Sequence, residues 1–242
     1  LTDQGEILLD SAHRVLDASQ DLMDALNAKQ TALKGALRVC SSTGFGRLRV
    51  APLLARFAAE HPQLTFELEL LDRPVDMLAE GYHLDIRLGT DREAGVVYKP
   101  LVSNVRVLCA APKYLRANPE PKALADLQKH RCLLIRERDQ NPKVWVLEGP
   151  SGTESVSVNA CMASNTGEVV KQWMLDGLGI GLRSEWDVAD LLKSGRLIRV
   201  LPGYVQPAHV VAAYPERLAG STKVIALVDY ITSVLQEPSN NP

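Results

Sequence analysis

At 242 residues the chain is long enough to bury a sizeable core in one or two domains. Its composition, 46% hydrophobic and 23% charged, is that of a folded globular protein, and no apolar run approaches the roughly 20 residues that cross a bilayer. A net charge of −2 with scattered Lys and Arg supplies no basic stripe for nucleic acid, and from the polar, acidic first residues no secretory signal is expected.

The spacing predicts one long helix from Leu1 to about Lys34. Leu8, Ala12, Val15, Ser19, Leu22 and Leu26 alternate steps of four and three, the seam of a coiled coil, and Leu9, Leu16 and Met23 widen it at heptad spacing. A helix of about 30 residues extends about 45 Å, too long for one compact domain, so dimerisation is expected through Leu8, Val15, Leu16, Leu22, Met23 and Leu26. Leu37 to Cys40 then reads as a buried strand, Ser41 to Gly44 as a polar turn, and Leu48, Leu53, Leu54, Phe57 and Ala58 as the apolar face of a helix. Free N–H groups and the dipole at that helix start suit a small anion or carboxylate. Simple capping by Ser42 or Thr43 is the competing reading.

Leu64 to Leu71 alternates as a strand, Val75 to Glu80 is expected as a short helix after Pro74, and Leu84 to Leu88 as a third strand. Strand, helix, strand, helix, strand is the order of a parallel sheet with crossover helices. Strands at Val96–Leu101 and Asn104–Ala111 follow. Beyond Pro112 come a helical turn at Tyr114–Ala117, a short helix at Leu124–Lys129 and a strand at Cys132–Arg136. Lys143–Leu147 and Ser155–Met162 flank a turn, and Asn165 or Thr166 caps a helix over Glu168–Asp176. Ile180–Leu182 is a strand, and Ser184 with Asp187 forms a capping-box pattern for a helix reaching Leu192. Strands at Arg196–Leu201 and His209–Tyr214 and a helix over Val224–Leu235 close the chain. A second α/β unit is thus inserted into the first, with two crossings expected near Ala110–Pro112 and Ala212–Pro215, extended before proline and suited to a hinge.

Cys40, Cys109, Cys132 and Cys161 lie far apart in apolar runs, without metal-ligand or CxxC spacing, and are expected as buried free thiols. The five histidines do not cluster, so no metal or cofactor is expected. No GxSxG, Walker or GxGxxG pattern follows a strand, and no nucleophile–base set is visible, so an enzyme is not expected. Trp145, Trp173 and Trp186 read as core residues.

Six segments in order carry a resemblance: LTDQGEILLDSAHRVL, GALRVCSSTGFGRLRVAPLLARFAAEHPQLTFEL, HLDIRLG, LCAAPKYL, GLGIGLRSEWDVADLLKSGRLIRVLP and AAYPERLAGSTKVIALVDYI. Together they span nearly the whole chain, which resembles the LysR-type transcriptional regulators of bacteria. The resemblance implies an α/β fold of two Rossmann-like lobes of the periplasmic-binding-protein type (type 2) after a long linker helix. The linker would be 1–34, the first lobe 36–112 plus 215–235, and the second 113–214. It also implies a cytoplasmic homodimer or homotetramer, a small-molecule effector in the interlobe cleft, and promoter DNA bound through an N-terminal winged helix–turn–helix that would precede residue 1. A free-standing solute-binding protein for a transporter shares the architecture and is the alternative, although it has no use for the long first helix.

On that resemblance the effector is held by Ser41, Ser42 and Thr43, with Asn165 and Thr166 at the equivalent turn of the second lobe, through charge-assisted hydrogen bonds to a carboxylate. Arg87, at the end of the third strand, either clamps the ligand or pairs with Asp72 or Asp85. Arg136, at the end of the first strand of the second lobe, either reaches the cleft or is solvated, and Arg183 presents a weaker case of the same kind.

Overall fold

The computed structural model describes residues 33–89, 93–136 and 143–237, together with Thr2, Gln4, Gly5, Leu8, Ala12, Val15 and Ser19. Of the expected dimer seam, Leu8 and Val15 are helical and 70% and 69% exposed. Leu16, Leu22, Met23 and Leu26 lie outside the described residues.

The first lobe is built on β1 (Gly35–Ser41), whose two faces are both covered. Leu37 and Val39 point toward helices and Cys40 toward Val75, Met77 and Tyr82 on the opposite side, so the strand is apolar rather than alternating. It is followed by the helical turn Thr43–Phe45, a widened π segment Gly46–Val50, and α1 (Ala51–Glu60). Pro52 sits in the first turn of α1, where the missing N–H is not needed. The π segment also changes the expected helix face. Its extra residue per turn rotates the phase, so that Phe45 and Val50 are buried while Leu48 is exposed.

β2 (Leu64–Leu70) and β3 (Leu84–Leu88) run parallel to β1 on either side, with Val39 opposite both Leu68 and Leu84. Between them, the helix expected at Val75–Glu80 is a turn instead. The Asp76 carboxylate accepts the N–H groups of Leu78 and Ala79, competing with a helical ladder, and Gly81 turns the chain at φ 73°. β4 (Val96–Val102) forms the far edge of this sheet.

β5 (Val105–Ala110) belongs to the second sheet, where it pairs with three other strands. After it come α2 (Pro112–Ala117), a 3₁₀ turn at Leu124–Lys129, β6 (Cys132–Ile135), β7 (Val144–Gly149), β8 (Gly152–Ser157) and β9 (Ala160–Ser164). Then follow α3 (Gly167–Leu175), β10 (Ile180–Ser184), α4 (Glu185–Lys193), β11 (Ile198–Arg199) and β12 (Val205–Pro207). The strand order is β8-β7-β12-β5-β10-β6-β9, with β11 also paired to β5. The single strand expected at Ser155–Met162 is broken, and its halves β8 and β9 lie at opposite edges of the sheet. Only Ile198 and Arg199 of the expected strand Arg196–Leu201 pair, because the chain turns at Leu201, whose φ is 48°.

β13 (Val210–Pro215) returns to the first sheet, antiparallel between β3 and β4, and α5 (Thr222–Gln236) covers that sheet with α1. The chain therefore passes between the sheets at 103–104 and 208–209, not at the Ala-Pro steps expected from sequence. Those steps lie beside fully buried strand residues, Ala110 and Ala213, whose small side chains serve close packing. The two crossings are bonded to each other. Ala208 N–H donates to the Asn104 carbonyl at 2.9 Å, and Asn104 Nδ2 donates back to the Ala208 carbonyl at 2.8 Å and to Ser184 Oγ at 3.2 Å.

Trp145 is buried in the second lobe, while Trp173 and Trp186 are half-buried against core clusters. All four cysteines are free, Cys161 only half-buried, and burial pushes the thiols of Cys109 and Cys132 up to about 12. Among the described residues no helix is long and apolar enough to cross a membrane.

Candidate functional site

The parallel strands β1 and β2 end at one level and β3 runs two residues further, and the chain leaves them as Ser42, Leu71–Asp72 and Gly89. The carboxyl ends of parallel strands are where open α/β sheets place ligands, because helix starts and loops converge there. A cavity of about 260 Å³ lies at that level between the two sheets. Ser42, Asp72, Arg87 and Leu88 line it from the first lobe, and Arg106, Leu147, Glu148, Thr153 and Gln206 from the second.

Local packing sets this geometry. Ser41 is buried, and its hydroxyl donates to the Ile86 carbonyl at 2.6 Å, tying the ends of β1 and β3. Gly46 lets the helix start sit against the strands, since a Cβ there would meet Leu70 and Ser41. The lobes touch along this start: Arg47 pairs with Glu168, and Phe45 meets the edge of Trp186 at 5.4 Å between ring centres. Asp72 stands between them, taking the Thr43 N–H at 2.9 Å on Oδ1 and the Thr166 hydroxyl at 2.9 Å on Oδ2.

Arg87 is buried and held by its own lobe. Nη1 reaches Glu93 Oε1 at 3.2 Å and Asp85 Oδ2 at 3.4 Å, Nη2 donates to the Tyr98 hydroxyl at 2.8 Å, and the guanidinium lies 5.1 Å from the Tyr98 ring centre. Burial works against its charge, but Asp85, Tyr98 and Glu93 together hold its pKa above the ordinary guanidinium value. Arg106 enters from β5 and donates to Gln206 Oε1 at 3.2 Å.

Of the residues expected here, Ser42 and Arg87 line the cavity. Thr43 and Thr166 do not line it and are instead bridged to each other by Asp72, which does. Ser41 is turned into the sheet, because its hydroxyl is used between strands. Asn165 and Arg136 are exposed and do not line the cavity, Arg136 because β6 ends on the far side of β10 from it. Arg183 is buried in an ion pair with Asp187. That pair also displaces the expected capping box, for Ser184 makes no side-chain bond to the α4 start. Sequence reading missed Arg106, Glu148, Thr153 and Gln206 as lining groups, and offered Asp72 only as a partner for Arg87 and not as a lining group. Only Asp72 carried a signal, since it follows β2 at the level of the Ser-Ser-Thr turn.

Among the described residues no group of His, Cys, Asp and Glu is arranged to hold a metal ion. The arrangement is that of a binding cleft, with two arginines, two carboxylates, hydroxyls and an amide among apolar side chains.

Residues 30–236 match the family model of the LysR substrate binding domain. The chain is 42% identical over 237 residues to the HTH-type transcriptional regulator DmlR of Escherichia coli K12, covering 98% of this chain and 77% of that protein. It is 38% identical over 242 residues to the HTH-type transcriptional activator TtdR of the same strain, covering 100% and 78%. In fold it is similar to CrgA, a LysR-type transcriptional regulator from Neisseria meningitidis, with a TM-score of 0.74 at 21% identity over 98% of this chain and 80% of that one.

Proposed function

This chain belongs to the LysR-type transcriptional regulators, and on that footing we propose that its two lobes sense a small anionic effector, of carboxylate type, bound in the interlobe cleft. The observation that carries the reading is the cavity of about 260 Å³ between the sheets, which presents Ser42 and Arg87 from the parallel strands of the first lobe and Arg106 from β5 of the second. Arginine suits planar anions because its fork of donors matches a carboxylate, and the low-dielectric cleft strengthens each bond. Gln206 and Thr153 add neutral partners that would orient the rest of the ligand.

The protein acts by binding rather than by catalysis. The effector biases the lobes toward one arrangement only insofar as it binds that arrangement better, and the bias is passed to a cytoplasmic homodimer or homotetramer. The exposed apolar Leu8 and Val15 of the N-terminal helix support assembly through that helix. Promoter DNA is contacted by the family's winged helix–turn–helix, while these 242 residues supply sensing and oligomerisation.

The test is a thermal-shift panel of small carboxylates, with sulfate, phosphate and neutral analogues as controls, followed by calorimetry on any hit. At one hundred times Kd a ligand contributes about 2.7 kcal/mol, which raises Tm by about 5–11 °C for a chain of this size. Arg106→Ala should abolish the response to the selected carboxylate. A panel in which only neutral compounds shift Tm refutes the anionic reading.

A further inference from the structure

Both oxygens of Asp72 are taken by helix starts that face each other across the cleft. Oδ1 accepts from the N–H of Thr43, the first residue of the helical run 43–60, and Oδ2 accepts from the hydroxyl of Thr166, the residue before α3. A helix start favours negative charge, and bonds to a carboxylate are among the stronger ones a protein makes. The Thr43 bond lies within the first lobe, whereas the Thr166 bond spans the two lobes. Arg47 and Glu168 pair beside it.

Space decides what else can sit there. On the helix side of Asp72, between Gly44, Glu168, Arg183 and Trp186, about 20 Å³ remains, room for a water and no more. On its other side lies the cavity of about 260 Å³. Asp72 is the wall between them.

We propose that Asp72 is the resident ligand of this paired helix site. A carboxylate carried by the chain itself holds the seat between the lobes that a free anion would otherwise take, and so dictates which end of the cleft receives the effector's charge. This deepens the reading of the cleft as the effector site and rests on it. An effector that brings its anion toward Asp72 meets like charge and donors already in use. Its anion is therefore steered toward Arg106, since the Arg87 guanidinium is already held by Asp85, Glu93 and Tyr98. Opening the cleft breaks the Thr166 bond and leaves Asp72 on Thr43, so the same residue fastens the closed form.

Asp72→Ala vacates the seat, and a free carboxylate can then be offered to it. The variant should melt about 3–6 °C below the parent, for one lost charge-assisted bridge. Sodium acetate or formate should restore about half of that loss or more, by binding the folded form alone, whereas sodium chloride at matched ionic strength should not. The parent should respond to acetate no more than to chloride. Adding Thr166→Val to Asp72→Ala should remove most of the rescue, since one of the two donors is gone. A variant that melts with the parent, responds equally to acetate and chloride, or shares its acetate response with the parent overturns the assignment. If Asp72→Ala does not fold, Thr166→Val in the parent carries the test. It should enlarge the radius of gyration in solution scattering and speed amide exchange at 43–47, and no change in either overturns the proposal. No effector is needed in these measurements, so their failure is distinct from a failure of the carboxylate panel on the parent.

Discussion

Asp187 offers the clearest quantitative test of how the second lobe is held. Its carboxylate is 1% exposed and is shared by two cations. Lys171 Nζ lies 2.5 Å from Oδ1, and Arg183 donates to Oδ2 from Nε at 3.0 Å and Nη2 at 2.5 Å. Asp187→Ala strands both. The Arg183 side chain is 8% exposed and cannot reach water without repacking, because its guanidinium lies where a Cβ on Gly167 would be. Lys171 is 20% exposed and can turn outward. Breaking a buried pair by removing one partner costs about 3–5 kcal/mol, and the escape of Lys171 places this case at about 3–4 kcal/mol. At about 2–4 °C per kcal/mol for a chain of this length, Tm should fall by about 6–16 °C. Urea unfolding with an unchanged m-value would give the free energy directly. Arg183→Met added to Asp187→Ala should recover part of the loss by removing the stranded charge. A loss below about 1 kcal/mol, the range of solvent-screened pairs, would refute the reasoning. So would a double variant less stable than the single one.

Three further outcomes follow from particular residues. Gly179→Ala sets a Cβ against the Arg131 carbonyl, which accepts the Ile180 N–H at 2.9 Å; it should cost about 2–4 kcal/mol in urea unfolding, whereas Gly203→Ala, with only ordinary contact to Pro150, should be close to neutral. Burial holds the His130 pKa below its ordinary value of 6.5, with Asp126 acting in the opposite sense. The unfolded chain therefore takes up the proton first, so His130 lowers stability progressively as pH falls through and below 6.5, and His130→Gln should flatten the pH dependence of the urea midpoint in that window. Leu22→Glu places a charge in the heptad seam and should lower the sedimenting mass of the parent assembly, with an unchanged mass removing that helix from the contact.

How far the chain could be read depended on the range of the forces at work. The strands of the first lobe, from Leu37–Cys40 to Leu84–Leu88, were legible because apolar runs bounded by Gly, Asp and Pro are local signals. Local signals failed where a neighbour along the chain intervened. The exposure of Leu48 follows from one widened turn, and the Asp76 carboxylate undoes the helix expected over Val75–Glu80. The candidate site was harder to read. Ser42 and Arg87 were found because they end or follow strands of the first lobe. Arg106 and Gln206 meet across 100 residues, and Asp72 finds Thr166 across 94, partnerships that no window of sequence contains. Sequence alone leaves Arg87 open between a clamp and a partner for an aspartate, and in the structure it lines the cavity while bonded to Asp85.

The two passages between the sheets are fastened at a single point, where Asn104 and Ala208 exchange bonds and Asn104 also reaches Ser184. Two separate tethers some distance apart would let the halves slide past one another. Tethers joined at one spot act as a pin, which leaves rotation free and resists shear. Whatever the cleft experiences is thereby converted into an angle between the halves, and an angle grows into displacement with distance from the pin. The rim where Arg47 meets Glu168 should travel far for a small turn, while the neighbourhood of Ser184 should hardly move.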